Sequence, residues 1–258
     1  MSKIETPPLC IADGATFWPW RTWTDFARLP STEKAGITII VPIAGFADWG
    51  LGHALDTEEL MLTHVIKGAV QQRPINFNPL VLPPLRFVLG PDPACAFAVD
   101  PPTAHAFLRE VTVSINAAGF RRMILFNASP WNEEFCAVAS RDLRIEFGLQ
   151  VFRINLSMIE LDLHPVRSKT RRRVQTLVTA LTGRVPDPVS EAAATGPSFW
   201  ADEKIQPLGG TAVSLDAALT EGTEILATAA ARVASLFGEI AAHPPLPRDG
   251  ALINMTPA

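Results

Sequence analysis

Residues 37–58 read ITIIVPIAGFADWGLGHALDTE, and the order of patterns within them decides the fold class. Ile37 to Ala44 is a short β-branched run without alternation of polar and apolar residues, which is the pattern of a strand buried on both faces in a parallel sheet. Gly45 ends the run, and a loop carrying Asp48, Trp49 and His53 follows. Thr57 then caps a helix over residues 58–70, in which Leu60, Met61, Val65, Ile66 and Ala69 recur at helical spacing. Glu58 and Glu59 fall in its first turn, where the helix dipole favours acids. Strand, loop and helix in this order form one unit of a doubly wound α/β protein.

The same alternation continues down the chain. A Pro-rich stretch from Pro74 to Pro102 contains a strand at residues 80–82 and a long connection across the end of the sheet. Residues 103–118 read as a helix that Gly119 breaks. Arg121 to Asn127 (RRMILFN) is a second buried strand, Glu133 to Phe147 a helix, residues 149–156 a third strand and residues 168–181 a helix with a basic first half. Residues 183–212 have no period and read as an irregular excursion. Ser214 caps a last helix to Ala242 with an apolar stripe of Leu215, Leu219, Leu226, Val233, Phe237 and Ile240. In the first 36 residues Phe17, Trp18, Trp20 and Trp23 crowd together, too costly to leave in water. They read as a subunit contact or the cover of a core edge, with ligand stacking as the alternative.

Composition sets the bounds. With 258 residues, 48% hydrophobic and 19% charged, the chain supports one large domain with a substantial core. A formal charge of −4 supplies no basic footprint for a nucleic-acid partner. Cys10, Cys95 and Cys136 are odd in number and outside any CxxC pattern, so they read as buried free thiols. The start, MSKIETPPLC, is unlike a signal peptide, and no stretch reaches about 18 uninterrupted apolar residues, so the expectation is a cytoplasmic protein without a membrane partner.

Ligand crevices of open α/β sheets lie beyond the carboxyl ends of the strands, which directs attention to the loops after Ala44, Asn127 and Leu156. Three stretches there carry a resemblance. Pro42 to Glu58 (PIAGFADWGLGHALDTE) resembles the first motif of the creatininase, or creatinine amidohydrolase, family, P-x-G-x-x-E-x-H-G-x-H-L-P-x-x-T-D. Asn127 to Asn132 (NASPWN) is similar to its N-G-H-G-G-N turn, and His164 to Thr170 (HPVRSKT) to its H-A-G-x-x-E-T motif. The resemblance covers about residues 20–185. It implies a single-domain, three-layer α/β sandwich with a mostly parallel sheet, and a hexameric assembly. It also implies a pair of divalent metals that activate water to cleave a C–N amide bond.

Position by position, most of the ligands that the resemblance calls for are replaced. The family Glu falls on Ala47, its two His residues on Trp49 and Gly52, and its Asp on Glu58. The His of the second motif falls on Ser129, and its glycines on Pro130 and Trp131. In the third motif His164 remains, Lys169 stands where the Glu would be, and Arg167 adds a second positive charge. Removing anionic and imidazole ligands while adding cations works against a dimetal site, so no cofactor is expected. A shifted register places Asp48 in the Glu slot and His53 in the second His slot, with Glu58 still in the Asp slot. That set is a candidate for one Zn or Mn ion. Each residue also has an ordinary reading: Asp48 in an Asx turn, Glu58 as a first-turn acid, His53 and His164 as structural loop histidines. Trp49 and Trp131 read as apolar filling of an emptied metal cavity. Ser129 with His164 as base is a candidate hydrolase pair, but Pro130 removes a backbone N–H that would help form an oxyanion hole.

Three functional readings follow. One is a structural or regulatory subunit that has lost the dimetal chemistry, forming a homo-oligomer or a hetero-oligomer with an intact relative. Another is an amidohydrolase with a rearranged site of Asp48, His53, Glu58 and His164. The last is a metal-free module that binds a small anionic or planar ligand through Trp49, His53, Asn127, Trp131, Asn132, Arg167 and Lys169.

Overall fold

The computed structural model describes residues 16–47, 54–90, 95–163, 170–185 and 213–244. In chain order these form α1 (Trp23–Arg28), α2 (Ser31–Gly36), β1 (Ile37–Ala44), β2 (Phe46–Ala47), α3 (Thr57–Gln71), β3 (Asn78–Val81), β4 (Leu85–Arg86), β5 (Val88–Leu89), β6 (Cys95–Ala96), β7 (Ala98–Val99) and α4 (Pro101–Ala117). They continue with β8 (Arg122–Asn127), α5 (Glu133–Phe147), β9 (Gln150–Asn155), α6 (Thr170–Thr182) and α7 (Leu215–Ala242). The main sheet has the order β3-β1-β8-β9, with β4 paired to the end of β1, and every pairing in it is parallel. Each residue of β1 and β8 is buried, as a strand covered on both faces requires.

Helices cover the two faces and make the three layers. On one face Ile40, Ile124 and Ile154 meet α3, α6 and α7, with Met61, Leu177, Val233 and Phe237 fully buried. On the other, Ile39, Met123 and Val151 meet α1, α4 and α5 through Phe26, Leu108, Ala139 and Leu143. Helix starts follow local chemistry. Asp100 accepts from the Thr103 N–H at 2.8 Å with prolines opening α4, and the Ser214 hydroxyl accepts from the Ala217 N–H at 3.3 Å.

Several sequence expectations are corrected. Thr57 is the first residue of α3 and not its cap: its hydroxyl donates to the Ala54 carbonyl at 2.7 Å. In α7, Leu215 and Leu219 are exposed, because Ala218 and Gly222 take the inner face of the first two turns. The helices α1 and α2 were not anticipated. The first starts where the Thr22 hydroxyl and the Asp25 carboxylate close a capping box, and the second follows Pro30 without a side-chain cap. Phe17 and Trp18 pack onto the core, whereas Trp20 and Trp23 face solvent. Cys95 and Cys136 are buried free thiols, and burial pushes Cys136 up to about 12. The expected excursion at 183–212 lies almost wholly outside the described residues. Of the described helices, α7 is long and apolar enough to cross a membrane, but its apolar stripe from Leu226 to Ile240 is spent on the core shared with α3 and α6.

The far end of α7 is locked to the sheet by Arg122, which is only 4% exposed. Its Nε donates to Gln150 Oε1 at 2.9 Å and its Nη2 to the His243 carbonyl at 2.5 Å, while Gln150 Nε2 donates to the Pro244 carbonyl at 2.7 Å. A guanidinium here also meets the negative end of the helix dipole. Gly148 ends α5 in the left-handed region at φ 60°, its N–H bonded to the Arg144 carbonyl at 3.0 Å. A Cβ on Gly148 would meet no atom within 4 Å. The cost of Gly148→Ala is therefore that of the backbone alone, an expected loss of about 1 kcal/mol in a urea melt.

Candidate functional site

The carboxyl ends of β1 and β8 converge on Gly45. A Cβ there would lie 2.9 Å from Val88 Cβ, 3.2 Å from Glu58 Oε2 and 3.4 Å from Ser129 Oγ. Glycine is needed for this approach, since three other chain segments close on its Cα. The Gly45 N–H donates to Glu58 Oε2 at 2.7 Å. Glu58, Ser129, Val88 and Ala47 are all at 0% exposure, so this cluster is sealed from solvent.

Burial is the largest influence on the Glu58 carboxyl and pushes it up to about 7; the Gly45 N–H and the nearby Ser129 hydroxyl act in the opposite direction. The hydroxyl is near enough to be felt electrostatically. Even so, neither Glu58 Oε1 nor Ser129 Oγ makes a hydrogen bond of acceptable geometry. Two adjacent buried polar atoms are therefore left over, and a carboxyl that keeps its proton has a hydrogen to offer the hydroxyl beside it.

The remaining polar residues of the second motif are committed to the protein itself. Asn127 Oδ1 accepts the Ser129 N–H at 3.1 Å, while its Nδ2 donates to the Ser129 carbonyl at 2.8 Å and to Asn155 Oδ1 at 3.2 Å. Asn132 takes the Leu89 N–H at 3.0 Å and donates to the Phe87 carbonyl at 2.9 Å, which ties the connection around β5 to the turn after β8. Trp131 is half-buried and packs against the core. Of the residues singled out from sequence, Glu58, Asn127, Ser129, Trp131 and Asn132 are described, and Glu58 meets Ser129 and Asn127 meets Ser129. Asp48, Trp49, His53, His164, Arg167 and Lys169 lie outside the described residues.

Sequence reasoning missed Gly45, Val88 and Asn155. For Asn155 a signal existed: β8 and β9 both end in Asn, and parallel register sets Asn127 against Asn155. Val88 had none, lying in Pro-rich text without period.

A pair of divalent cations needs several anionic or imidazole ligands. Among the described residues no three His, Cys, Asp or Glu side chains come together. One oxygen of Glu58 is taken by the Gly45 N–H, and the side chain is wholly buried. The described part of the site does not fit a dimetal centre.

A three-layer α/β/α sandwich with its polar cluster at the carboxyl ends of parallel strands defines the class. Residues 20–188 match the family model described as creatinine amidohydrolase, and the chain belongs to the creatininase family. Among solved structures it is similar to a creatinine amidohydrolase (creatininase), with 18% identity, TM-score 0.64, and coverage of 90% of this chain and 100% of the other. A putative creatinine amidohydrolase from Bacteroides fragilis NCTC 9343 matches at 15% identity and TM-score 0.66, over 91% of this chain and 100% of the other. A manganese form of creatininase matches at 18% identity and TM-score 0.62, over 89% and 100%. No curated protein matches in sequence.

Proposed function

We infer that this chain is a creatininase-family protein that works without the dimetal hydrolytic centre, as a structural or regulatory subunit of a cytoplasmic oligomer. That oligomer is a homo-oligomer or an assembly with an intact relative. The observation that carries this reading is the state of Glu58, the single acidic side chain at the Asp slot of the first motif. It is wholly buried and bonded to the Gly45 N–H, where a ligand carboxylate would have to face a cation. Ser129 in place of the motif's His and Lys169 in place of its Glu act in the same direction.

The test is metal retention. Purified protein is incubated with zinc and manganese, freed of loosely held ions and measured by plasma mass spectrometry, with creatinine hydrolysis assayed on the same sample. The expected result is less than one ion per chain and no turnover. Near-stoichiometric retention that is lost in Asp48→Ala or His53→Ala would overturn the reading and favour the rearranged amidohydrolase. Sedimentation velocity, alone and with an intact family member, measures the subunit role.

A further inference from the structure

At the opposite end of the sheet, beside the first residue of β1, lies a cavity of about 290 Å³ that the strand-end cluster does not use. Ile37 and Gly45 are separated by the full length of β1, about 25 Å at strand rise, so the two places are independent. The floor of the cavity is apolar: Phe26 and Leu29 come from the α1 side, Ile37 and Leu80 from the sheet. Its wall carries two guanidinium groups, Arg21 and Arg28, and one carboxylate, Asp25.

The charges do not cancel in effect. Asp25 Oδ2 already accepts from the Thr22 N–H and from the Thr22 hydroxyl, both at 2.8 Å, closing the capping box of α1. The Thr22 hydrogen bonds hold the Asp25 carboxyl below its ordinary value, with Arg21 and Arg28 adding to the effect from nearby. Arg28 forms no hydrogen bond or ion pair with any described residue. An apolar floor beneath a wall that carries two guanidinium groups against one carboxylate is complementary to a compact ligand with an apolar body and one anionic head. Guanidinium pairs well with a carboxylate because its parallel N–H groups match the two oxygens. The volume suits a fragment-sized molecule, near the lower limit for small-molecule sites.

We propose that the cavity between α1 and the start of β1 and β3 is a binding site for a small apolar carboxylate, about the size of benzoate, with Arg28 holding the carboxylate and Phe26, Leu29, Ile37 and Leu80 holding the body. This site lies apart from the strand-end cluster and does not depend on whether that cluster is catalytic.

Isothermal titration of the full chain with benzoate, with uncharged benzamide in parallel, tests it. The expected result is saturable binding of benzoate at one site per chain, with benzamide about tenfold weaker or worse. Arg28→Glu, on an exposed position that leaves the core untouched, should abolish benzoate binding, and Arg28→Lys should weaken it. Leu29→Trp, which fills the cavity from its wall, should block both ligands, with circular dichroism melting as the check on folding. Equal binding of benzoate and benzamide, or benzoate binding unchanged in Arg28→Glu, overturns the proposal. So does a concentration-dependent dimer broken by Leu29→Trp in protein that does not bind benzoate, since a second copy would then occupy the groove.

Discussion

Glu58→Gln should raise the stability of the folded protein by about 3 kcal/mol above pH 7 and leave it almost unchanged below pH 4.5. The carboxyl is pushed from 4.5 to about 7 by burial. Between those values the folded chain holds a proton that the unfolded chain has released, so stability falls as pH rises through that window and is flat on either side. Glutamine removes the titration. Its oxygen can still accept from the Gly45 N–H, and its amide can donate to Ser129 Oγ, which has no partner now. The measurement is urea unfolding of both proteins at several pH values from 4 to 8, where only the difference between the curves matters. Parallel curves would mean that Glu58 titrates in the folded protein as it does in the unfolded chain and is ionised at neutral pH, and would return it to the candidate metal ligands.

The second large effect concerns the helix pair on the same face of the sheet. Glycine to alanine inside a helix ordinarily gains about 1 kcal/mol. At Gly222 the sign reverses, because a Cβ would stand 2.5 Å from Ala180 Cβ and 2.8 Å from the Thr176 carbonyl oxygen. The second of these is backbone and cannot turn aside, so α6 and α7 must move apart. Gly222→Ala is expected to lower stability by about 2 kcal/mol or more. Gly36→Ala, whose Cβ would meet nothing within 4 Å, serves as the control and should stay within about 0.5 kcal/mol of the parent. Equal melting temperatures for the two variants would show that the helices part without cost.

These two residues differ in how far the sequence announced them. Glu58 was legible, because a first-turn acid after a strand and loop sits at the end of a sheet that β-branched periodicity had already located. Gly222 was not, since a glycine within a helical stripe gives no hint of what crosses it. The same division runs through the molecule. The buried strands β1, β8 and β9 and the long helices were readable to within two residues, since continuous apolar runs and 3.6-residue spacing are local signals. The short strands β4 to β7 were not, because two-residue pairings in Pro-rich text depend on distant partners such as Asn132. Within the site, the identities of the replaced ligands were legible in the motif positions alone. Their enclosure was not: only the three-dimensional fold, which buries Glu58 against the Gly45 N–H, turns it from a candidate ligand into a sealed carboxyl.

The clasp of Arg122 on the His243 carbonyl joins residues 121 positions apart in the chain, which matters for how the protein is made. Helix α7, the last described element to leave the ribosome, covers a sheet face whose strands are complete long before. At ordinary translation rates the interval between synthesis of Arg122 and His243 is about 10 s. During that time Phe77, which stacks on Phe237 with ring centres 4.2 Å apart, and the neighbouring apolar surface of α3 have no cover. A nascent chain of this kind is a natural client for a chaperone that binds hydrophobic segments early, and any pause in translation between α6 and α7 prolongs that exposure.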